Sequence, residues 1–466
     1  MFFFRSVLFL FFVSLTGFLP DLAFATSDGV GPTSLDMITS PIGIICLVLF
    51  VIAYAFVMTE EFTHFRKCKP VILAATLIWV LIAYHASNDP NIPSHWAEQQ
   101  FRHVVLEFAE LFFFLFVAMA FVNSLTERKM FDALCAWLSN NGFSYKKIFI
   151  ISGIIAFFLS PIADNLTTAL VMCSVLMACG KGNAKFISLG CINIVVAANA
   201  GGAYSPFGDI TTLMVWQAGI VEFFTFFKIF FPSVINYVIP AAIMYFFIPN
   251  EKPEVSTDKV YIKKGGKVII FLGLLTIFSA VNFHNLLHLP PMLGMMLGLG
   301  LLGLYSFYLK ITHDPSSKDQ KFDFFRNLSR AEWDTLLFFF GVILSVGGLG
   351  FIGYLSLVSE FLYDGLGATL ANSIVGVLSA IVDNIPVMFA VITMRPEMSI
   401  DQWLLVTLTT GVGGSLLSIG SAAGVALMGQ ARGYYTFFGH LKWTPVIFLG
   451  YIASIYLHIL MADLPL

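Results

Sequence analysis

The sequence predicts an all-α polytopic membrane protein made of two inverted-topology repeats, each with five spans, one of them broken, plus a re-entrant hairpin. Three observations carry that expectation. The apolar content is too high for a soluble chain of this size, polar and glycine-rich interruptions fall inside four of the apolar stretches, and the interrupted stretches of the first half resemble those of the second.

Of the 466 residues 58% are apolar and 11% are charged, whereas a soluble domain carries roughly 25% charged residues. The mean hydropathy is +0.86. A single soluble core stops growing at about 250–300 residues, and the charges here are too few to wet the surface of two. Lipid is the solvent, which excludes a soluble enzyme. A net charge of −3 carries no polyanion-binding signal, so the bilayer is the expected partner and nucleic acid is not. Cys46, Cys68, Cys135, Cys173, Cys179 and Cys191 lie in or beside apolar runs without a C-x-x-C pair and read as packing residues.

At the N-terminus Arg5, the apolar run Val7 to Leu19 and Ala23-Phe24-Ala25 have the three-part form of a secretory signal peptide. Residues 1–25 are therefore expected to be cleaved after Ala25, or else to form an extra first helix; the apolar core is shorter than the ~20 residues a span needs.

Eight ordinary spans are expected at about 41–58, 70–86, 104–122, 223–248, 268–282, 291–309, 335–352 and 443–461. The stretches 148–179, 186–221, 366–394 and 401–428 are apolar but interrupted by Gly, Pro, Asp, Asn, Ser and Thr. Backbone that leaves the helix at membrane depth must be buried in protein or line a watery cavity, so these interruptions point to function.

Basic residues set the orientation. Arg66, Lys67 and Lys69; Arg128, Lys129, Lys146 and Lys147; Lys252, Lys259, Lys263, Lys264 and Lys267; and Lys310, Lys318, Lys321, Arg326 and Arg330 mark loops expected on the cytoplasmic side. Loops 87–103, 283–289 and 353–365 contain only Arg102 among them and carry acidic residues, so they are expected outside. Lys146, Lys147, Lys181 and Lys185 flank 148–179, which places that hairpin's ends on the cytoplasmic side. Glu360, Asp364, Glu397 and Asp401 flank 366–394, which places the second hairpin oppositely.

The repeat is visible in the motifs. Ser160-Pro161-Ile162-Ala163-Asp164-Asn165 aligns with Ser379-Ala380-Ile381-Val382-Asp383-Asn384. The break from Asn199 to Asp209 aligns with that from Gly411 to Ser421, with Gly201-Gly202 on Gly413-Gly414 and Gly208 on Gly420. The domains are then 26–248 and 268–466, joined by a basic cytoplasmic linker at 249–267. Five crossings per half force the second half to run inverted. That is a secondary-transporter design, whose site lies near the midplane where the broken helices meet.

Asp164 and Asp383 at the hairpin tips, each followed by Asn, supply two formal negative charges and amide oxygens. Asp209, Thr211 and Thr212 follow the first glycine break, and Ser418 and Ser421 lie in the second. Hard cations take oxygen ligands, and no basic residue lies within either motif, so the composition suits sodium or lithium better than an organic anion. Buried carboxylates favour the protonated form, more so beside a second carboxylate. A proton and a sodium ion can therefore compete for one group, and that competition suffices for antiport. Asp164 and Asp383, if close, would titrate as a coupled pair. The bland alternative for each Asp-Asn is a helix cap, and for the hydroxyls a bond to the preceding turn. His103, Glu107 and Glu110 share one helix face and read either as an ion path or pH-sensing group or as interfacial side chains bonded to neighbouring helices. The runs 112–114 and 338–340 are phenylalanine packing or lipid-facing surfaces.

S-P-I-A-D-N-L-T-T at 160–168, N-A-G-G-A-Y-S-P-F-G-D-I-T-T at 199–212, E-W-D-T-L-L-F-F-F-G at 332–341 and D-N-I-P at 383–386 together resemble the NhaD-type sodium/proton antiporters of the ion transporter superfamily, over almost the whole chain. The resemblance implies export of Na⁺ or Li⁺ in exchange for H⁺ across a bacterial inner membrane, without a cofactor. It implies transport roles for Asp164, Asn165, Asn199, Asp209, Thr211, Thr212, Ser379, Asp383, Asn384, Ser418 and Ser421, and lends weight to Glu110. The superfamily's dicarboxylate carriers look different at the hairpin tips, with Ser-Asn-Thr where this chain has Asp-Asn-Leu and Asp-Asn-Ile. The rival expectations are a sodium-coupled organic-anion symporter, an intramembrane aspartyl protease, whose G-x-G-D motif is spoiled by Pro206, and a channel. Oligomeric state is left open, a homo-oligomer included.

Overall fold

Every backbone N–H and C=O that enters hydrocarbon must find its partner within the chain, and the computed structural model meets that demand with helices alone among its described residues, which are 35–63, 65–90, 92–93, 95–140, 142–180, 183–252, 261–313 and 321–465. The expected signal peptide lies outside them, as do Lys181, Lys259 and Lys318 of the charge pattern and the side chain of Cys135.

Each half contributes eight main helices. In the first they are α1 (Pro41–Met58), α2 (Cys68–Asn88), α3 (Trp96–Glu127), α4 (Tyr145–Ala163), α5 (Asn165–Cys179), α6 (Ala184–Ala203), α7 (Ile210–Gln217) and α8 (Phe230–Tyr245), the last continuing a 3₁₀ segment at Phe223–Ile229. In the second they are α9 (Gly266–Leu287), α10 (Pro291–Ile311), α11 (Trp333–Ile352), α12 (Ala368–Val382), α13 (Asn384–Met394), α14 (Ile400–Gly413), α15 (Ala422–Gln430) and α16 (Thr444–Ala462). Ten helical segments are long and apolar enough to cross a bilayer: α1–α4, α6, 223–245, α9–α11 and α16. All eight expected ordinary spans are among them. Each of the four interrupted stretches divides into two helices at its expected break. α4, an arm of the first expected hairpin, reaches 19 residues and is itself long enough to cross, whereas α14 has only 14, or about 21 Å at 1.5 Å per residue.

Local chemistry sets several of the ends. Ser40 caps α1 by accepting from Gly43 N, ahead of Pro41 at the first helical position. Asn183 caps α6 and Ser399 caps α14 in the same way. α11 stops at Gly353, whose φ of 113° suits only glycine well.

Residues 36–465 form one unit in which the two halves interleave. α1 packs on α2 as α9 packs on α10, and α4 packs on α6 as α12 packs on α14. Across the halves, α2 lies against α11 and α3 against α10, while α6 meets α14 and α8 meets α16. The short helices cross over too: α7 packs on α13, and α15 on α5. Burial follows this order. α6 and α14, in the middle, are buried along almost their whole length, whereas α1 and α9 expose Ile44, Val51, Phe271 and Phe278. An apolar side chain exposed on an outer helix is ordinary where lipid is the solvent.

The central crossing depends on glycine at two equivalent places. A Cβ at Gly201 would strike the Phe157 carbonyl of α4, and one at Gly413 the Gly376 carbonyl of α12. Gly201→Ala and Gly413→Ala are each expected to cost about 1–3 kcal/mol by overpacking. Gly300→Ala, in α10 with nothing within 4 Å of a new Cβ, should instead gain up to roughly 1 kcal/mol of helix propensity. Thermal unfolding of the detergent-purified variants checks both signs.

Candidate cation site

The four helix breaks use two backbone solutions, each used twice. Asp164, between α4 and α5, has φ 58° and ψ 162°; Asp383, between α12 and α13, has φ 86° and ψ 145°. Side chains other than glycine rarely adopt this region, and holding one there costs on the order of 1–3 kcal/mol. Asp209 and Ser421, the N-caps of α7 and α15, are both extended, at φ −145° and ψ 144° or 151°. Ser160 Oγ donates to Ala198 O (2.6 Å) at the end of α6, and Ser379 Oγ donates to Thr410 O (3.1 Å) at the end of α14. These hydrogen bonds pin each Asp-Asn tip against the neighbouring broken helix.

Asp209 is the hub. It is 2% exposed, and its carboxylate accepts from three directions. Asn165 Nδ2 donates to Oδ2 at 2.7 Å, Asn384 Nδ2 lies 3.3 Å from both oxygens, and the Thr211 amide and hydroxyl donate to Oδ1 at 2.9 and 3.0 Å. Asn165 also donates to Asn199 Oδ1 (3.1 Å), and Asn199 Nδ2 donates to Ser421 Oγ (3.0 Å). A single network thus joins a residue beside each of the four breaks, from both halves. Asp209 also interacts electrostatically with Asp164 and Asp383.

The other expected residues take different places. Asp164 is part-buried and caps α5, accepting from Thr167 N (2.7 Å) and Thr167 Oγ1 (2.9 Å), so its capping and ion-binding readings coexist in one carboxylate. Asp383 caps nothing. Its Oδ2 lies 3.2 Å from Lys67 Nζ, and its buried Oδ1 has no hydrogen-bond partner. Thr212 is fully buried and its hydroxyl reaches Ala203 O at 3.4 Å. Ser418 is fully buried with an unpartnered hydroxyl. Ser379 donates to backbone carbonyls of α12 and α14, not to the Asp209 network. His103 pairs with Glu107 at 3.5 Å on a half-exposed face of α3, and Glu110 is half-buried beyond them. No hydrogen bond joins these three to the Asp209 network among the described residues.

Each Asp-Asn break borders a cavity. One of about 480 Å³ is lined by Glu60, Arg66, Lys67, Asp383, Ile419 and Arg432. The other, of about 320 Å³, is lined by Asp132, Thr167, Ser174, Arg330, Glu332 and Gln430. Lys67 is the residue that sequence reasoning missed. It stood in a run of loop cations, and its partner is 316 positions away, so no local signal marks the pairing. Buried Tyr54, which interacts electrostatically with Asp383, carried no signal either.

Chemically the cluster offers carboxylate, amide and hydroxyl oxygens, together with the free backbone ends of broken helices. At each break a C-terminal carbonyl end, partly negative, meets an N-terminal amide end, partly positive. Rotating an asparagine amide by half a turn exchanges N–H for C=O at the same position. The residues that solvate an ionised Asp209 here can therefore complete the oxygen shell of a cation. Asn165→Ala and Asn384→Ala should each lower stability by about 1–3 kcal/mol, because each strips a donor from a buried charge. Both act on one carboxylate, so the double variant should lose less than the sum; thermal unfolding of the three proteins measures the coupling.

A family model described as citrate transporter matches residues 37–411. The "Na(+)/H(+) antiporter NhaD" of Alkalimonas amylolytica is 57% identical over 453 residues, 92% of this chain and 93% of that protein. The protein of the same name from Vibrio cholerae is 53% identical over 96% of this chain and 97% of its own length. "Sodium/proton antiporter 1" of Arabidopsis thaliana is 34% identical over 87% of this chain and 70% of its own length. With ten helices fit to cross a membrane and near-complete coverage of such relatives, this chain is a multi-pass membrane protein and belongs to the NhaD family of Na⁺/H⁺ antiporters.

Proposed function

We propose that this protein exchanges sodium, and also lithium, for protons across a bacterial inner membrane, by alternating access around the Asp209 network. The observation that carries the reading is the convergence on one buried carboxylate of amide and hydroxyl groups from both halves, at the place where their broken helices cross. Ionisable groups at membrane depth are costly and mark ion pathways. Three carboxylates, Asp164, Asp209 and Asp383, interact electrostatically through Asp209, so binding a cation or a proton to one lowers the cost of burying the others' charge.

In this reading the cation is held by Asp209 with oxygens of Asn165, Asn199, Asn384 and Ser421, while Asp164 and Asp383 sit within electrostatic reach. Thr211 orients Asp209, and Thr212 and Ser379 hold the backbone of the broken helices. Protonation neutralises the same carboxylates and expels the cation, and only a neutralised site reorients through the low-dielectric interior. If α4–α5 and α12–α13 are hairpins that do not cross, and the short α14 does, five crossings remain per half and the two halves are inverted repeats. Mirror-placed hairpins at 145–179 and 368–394 would then give each half one Asp-Asn tip at the midplane. The helices α1–α3 and α9–α11, which cross-pair with one another, form a frame against which the broken helices can rock. No cofactor is required, since binding and release of ions is the whole chemistry.

A sodium-coupled anion symporter is the second reading. The citrate transporter family match and the cations Arg66, Lys67 and Arg432 around the larger cavity favour it. Against it, Lys67 is already neutralised by Asp383, and the relatives at 51–57% identity are named antiporters.

The test is dequenching of a pH-gradient dye in energised inside-out vesicles as NaCl, LiCl or KCl is added. Na⁺ and Li⁺ should dequench and K⁺ should not. Asp164→Asn, Asp209→Asn and Asp383→Asn should each abolish the response while leaving membrane insertion intact, because each keeps the side chain's shape and removes its charge. Full exchange in any of the three would remove that residue from the site. A wild-type protein silent to Na⁺ but active in citrate or dicarboxylate uptake would establish the symporter.

A further inference from the structure

Lys67, the buried partner of Asp383, has no part in the exchange outlined above. Lys67 and Asp383 pair at 3.2 Å with side chains 11% and 6% exposed. The ammonium also lies 4.1 Å from the centroid of the Phe338 ring, in cation–π contact on a desolvated face. Lys67 belongs to the turn before α2, and Asp383 is the tip between α12 and α13, so the pair ties the frame to the inner bundle and joins the two halves. It is incomplete on the carboxylate side. Only Oδ2 is engaged, while the buried Oδ1 and the buried Tyr54 hydroxyl have no hydrogen-bond partners. The site is charged and largely buried, and it borders a cavity of about 480 Å³.

A buried carboxylate that loses its cation leaves an uncompensated charge, which is strongly unfavourable. A lysine ammonium is a compact point charge on a flexible four-carbon stem, and here it occupies the position of a monovalent cation's charge beside Asp383. Glu60, on the rim of the same cavity, also interacts electrostatically with Lys67 and offers a second carboxylate when the first is taken.

We propose that Lys67 is a tethered competitor for the cation site. Its ammonium compensates Asp383 when no transported cation is bound, and it swings toward Glu60 when one binds. Lys67 thereby sets the affinity for Na⁺ and keeps the empty site from burying an unpaired carboxylate. This rests on the reading of Asp383 as part of the cation site. It concerns displacement of one cation by another, not loss of a proton from the lysine.

The experiment compares wild type, Lys67→Gln and Lys67→Arg at one fixed alkaline pH. The half-saturating Na⁺ and Li⁺ are read both from dye dequenching in inside-out vesicles and from thermal stabilisation of the purified protein, with choline chloride holding ionic strength constant. Lys67→Gln should lower the half-saturating cation concentration several-fold in both readouts. Lys67→Arg, whose planar fork can engage both Asp383 oxygens, should raise it several-fold while retaining exchange at saturation. A merely structural lysine would lower the unfolding temperature and the maximal rate and leave half-saturation where it is, and that result overturns the proposal, as does a raised half-saturation in Lys67→Gln. If Lys67→Gln does not accumulate, Lys67→Arg decides alone: a raised value upholds the competitor and an unchanged one overturns it. Failure of the wild type to respond to Na⁺ at all overturns the antiport reading itself and, with it, this inference.

Discussion

A peptide group in hydrocarbon that lacks a hydrogen-bond partner costs several kcal/mol, and that penalty governs where this chain can stop being helical. It stops four times at depth, near Asp164, 204–209, Asp383 and 414–421. At 204–209 and 414–421 the residues of the break lie mostly inside protein. α6 and α14, which carry two of the breaks, are buried almost throughout, and glycines at 201 and 413 let α4 and α12 approach them backbone to backbone. The apolar outer helices follow from this, since something must stand between the broken backbone and the lipid.

The same breaks produce the electrostatics. A broken helix exposes polar ends where an unbroken one has none, so the only inexpensive place for buried carboxylates is beside those ends and beside amide side chains. Asp209 takes that place, with Asn165, Asn384 and Thr211 replacing the hydration it has lost. Asp164 satisfies a helix terminus, and Asp383 meets a lysine. The three aspartates thus have three environments. Asp164 and Asp383 also hold a backbone conformation that disfavours side chains. A strained conformation repeated at equivalent points persists only where the surroundings enforce it.

Much of this was legible in the sequence. Hydropathy located every ordinary span, because lipid punishes polar groups irrespective of tertiary detail, although α3 begins eight residues before the expected 104–122 and ends five after it. The four interruptions stand out as breaks in the sequence alone, and Ser160-to-Asn165 aligns there with Ser379-to-Asn384; both serines donate to a carbonyl near the end of the neighbouring broken helix. Less legible was the ranking of the aspartates. Sequence symmetry drew attention to the duplicated Asp164 and Asp383, whereas Asp209, whose counterpart is Ser421, holds the hub of the network.

The sequence by itself determined that the chain lives in lipid, where it crosses, where it breaks and which residues stand at the breaks, since each of these depends on local composition and on a solvent that cannot hydrogen-bond. Only the tertiary structure decided which broken ends meet, that Asp209 and not the hairpin pair gathers the amides, and that Lys67, read along the chain as one more loop cation, turns inward to Asp383 across 316 positions. Those are contacts between distant segments. Their energies come from desolvation and geometry, and neither is written in the spacing of residues along one strand of sequence.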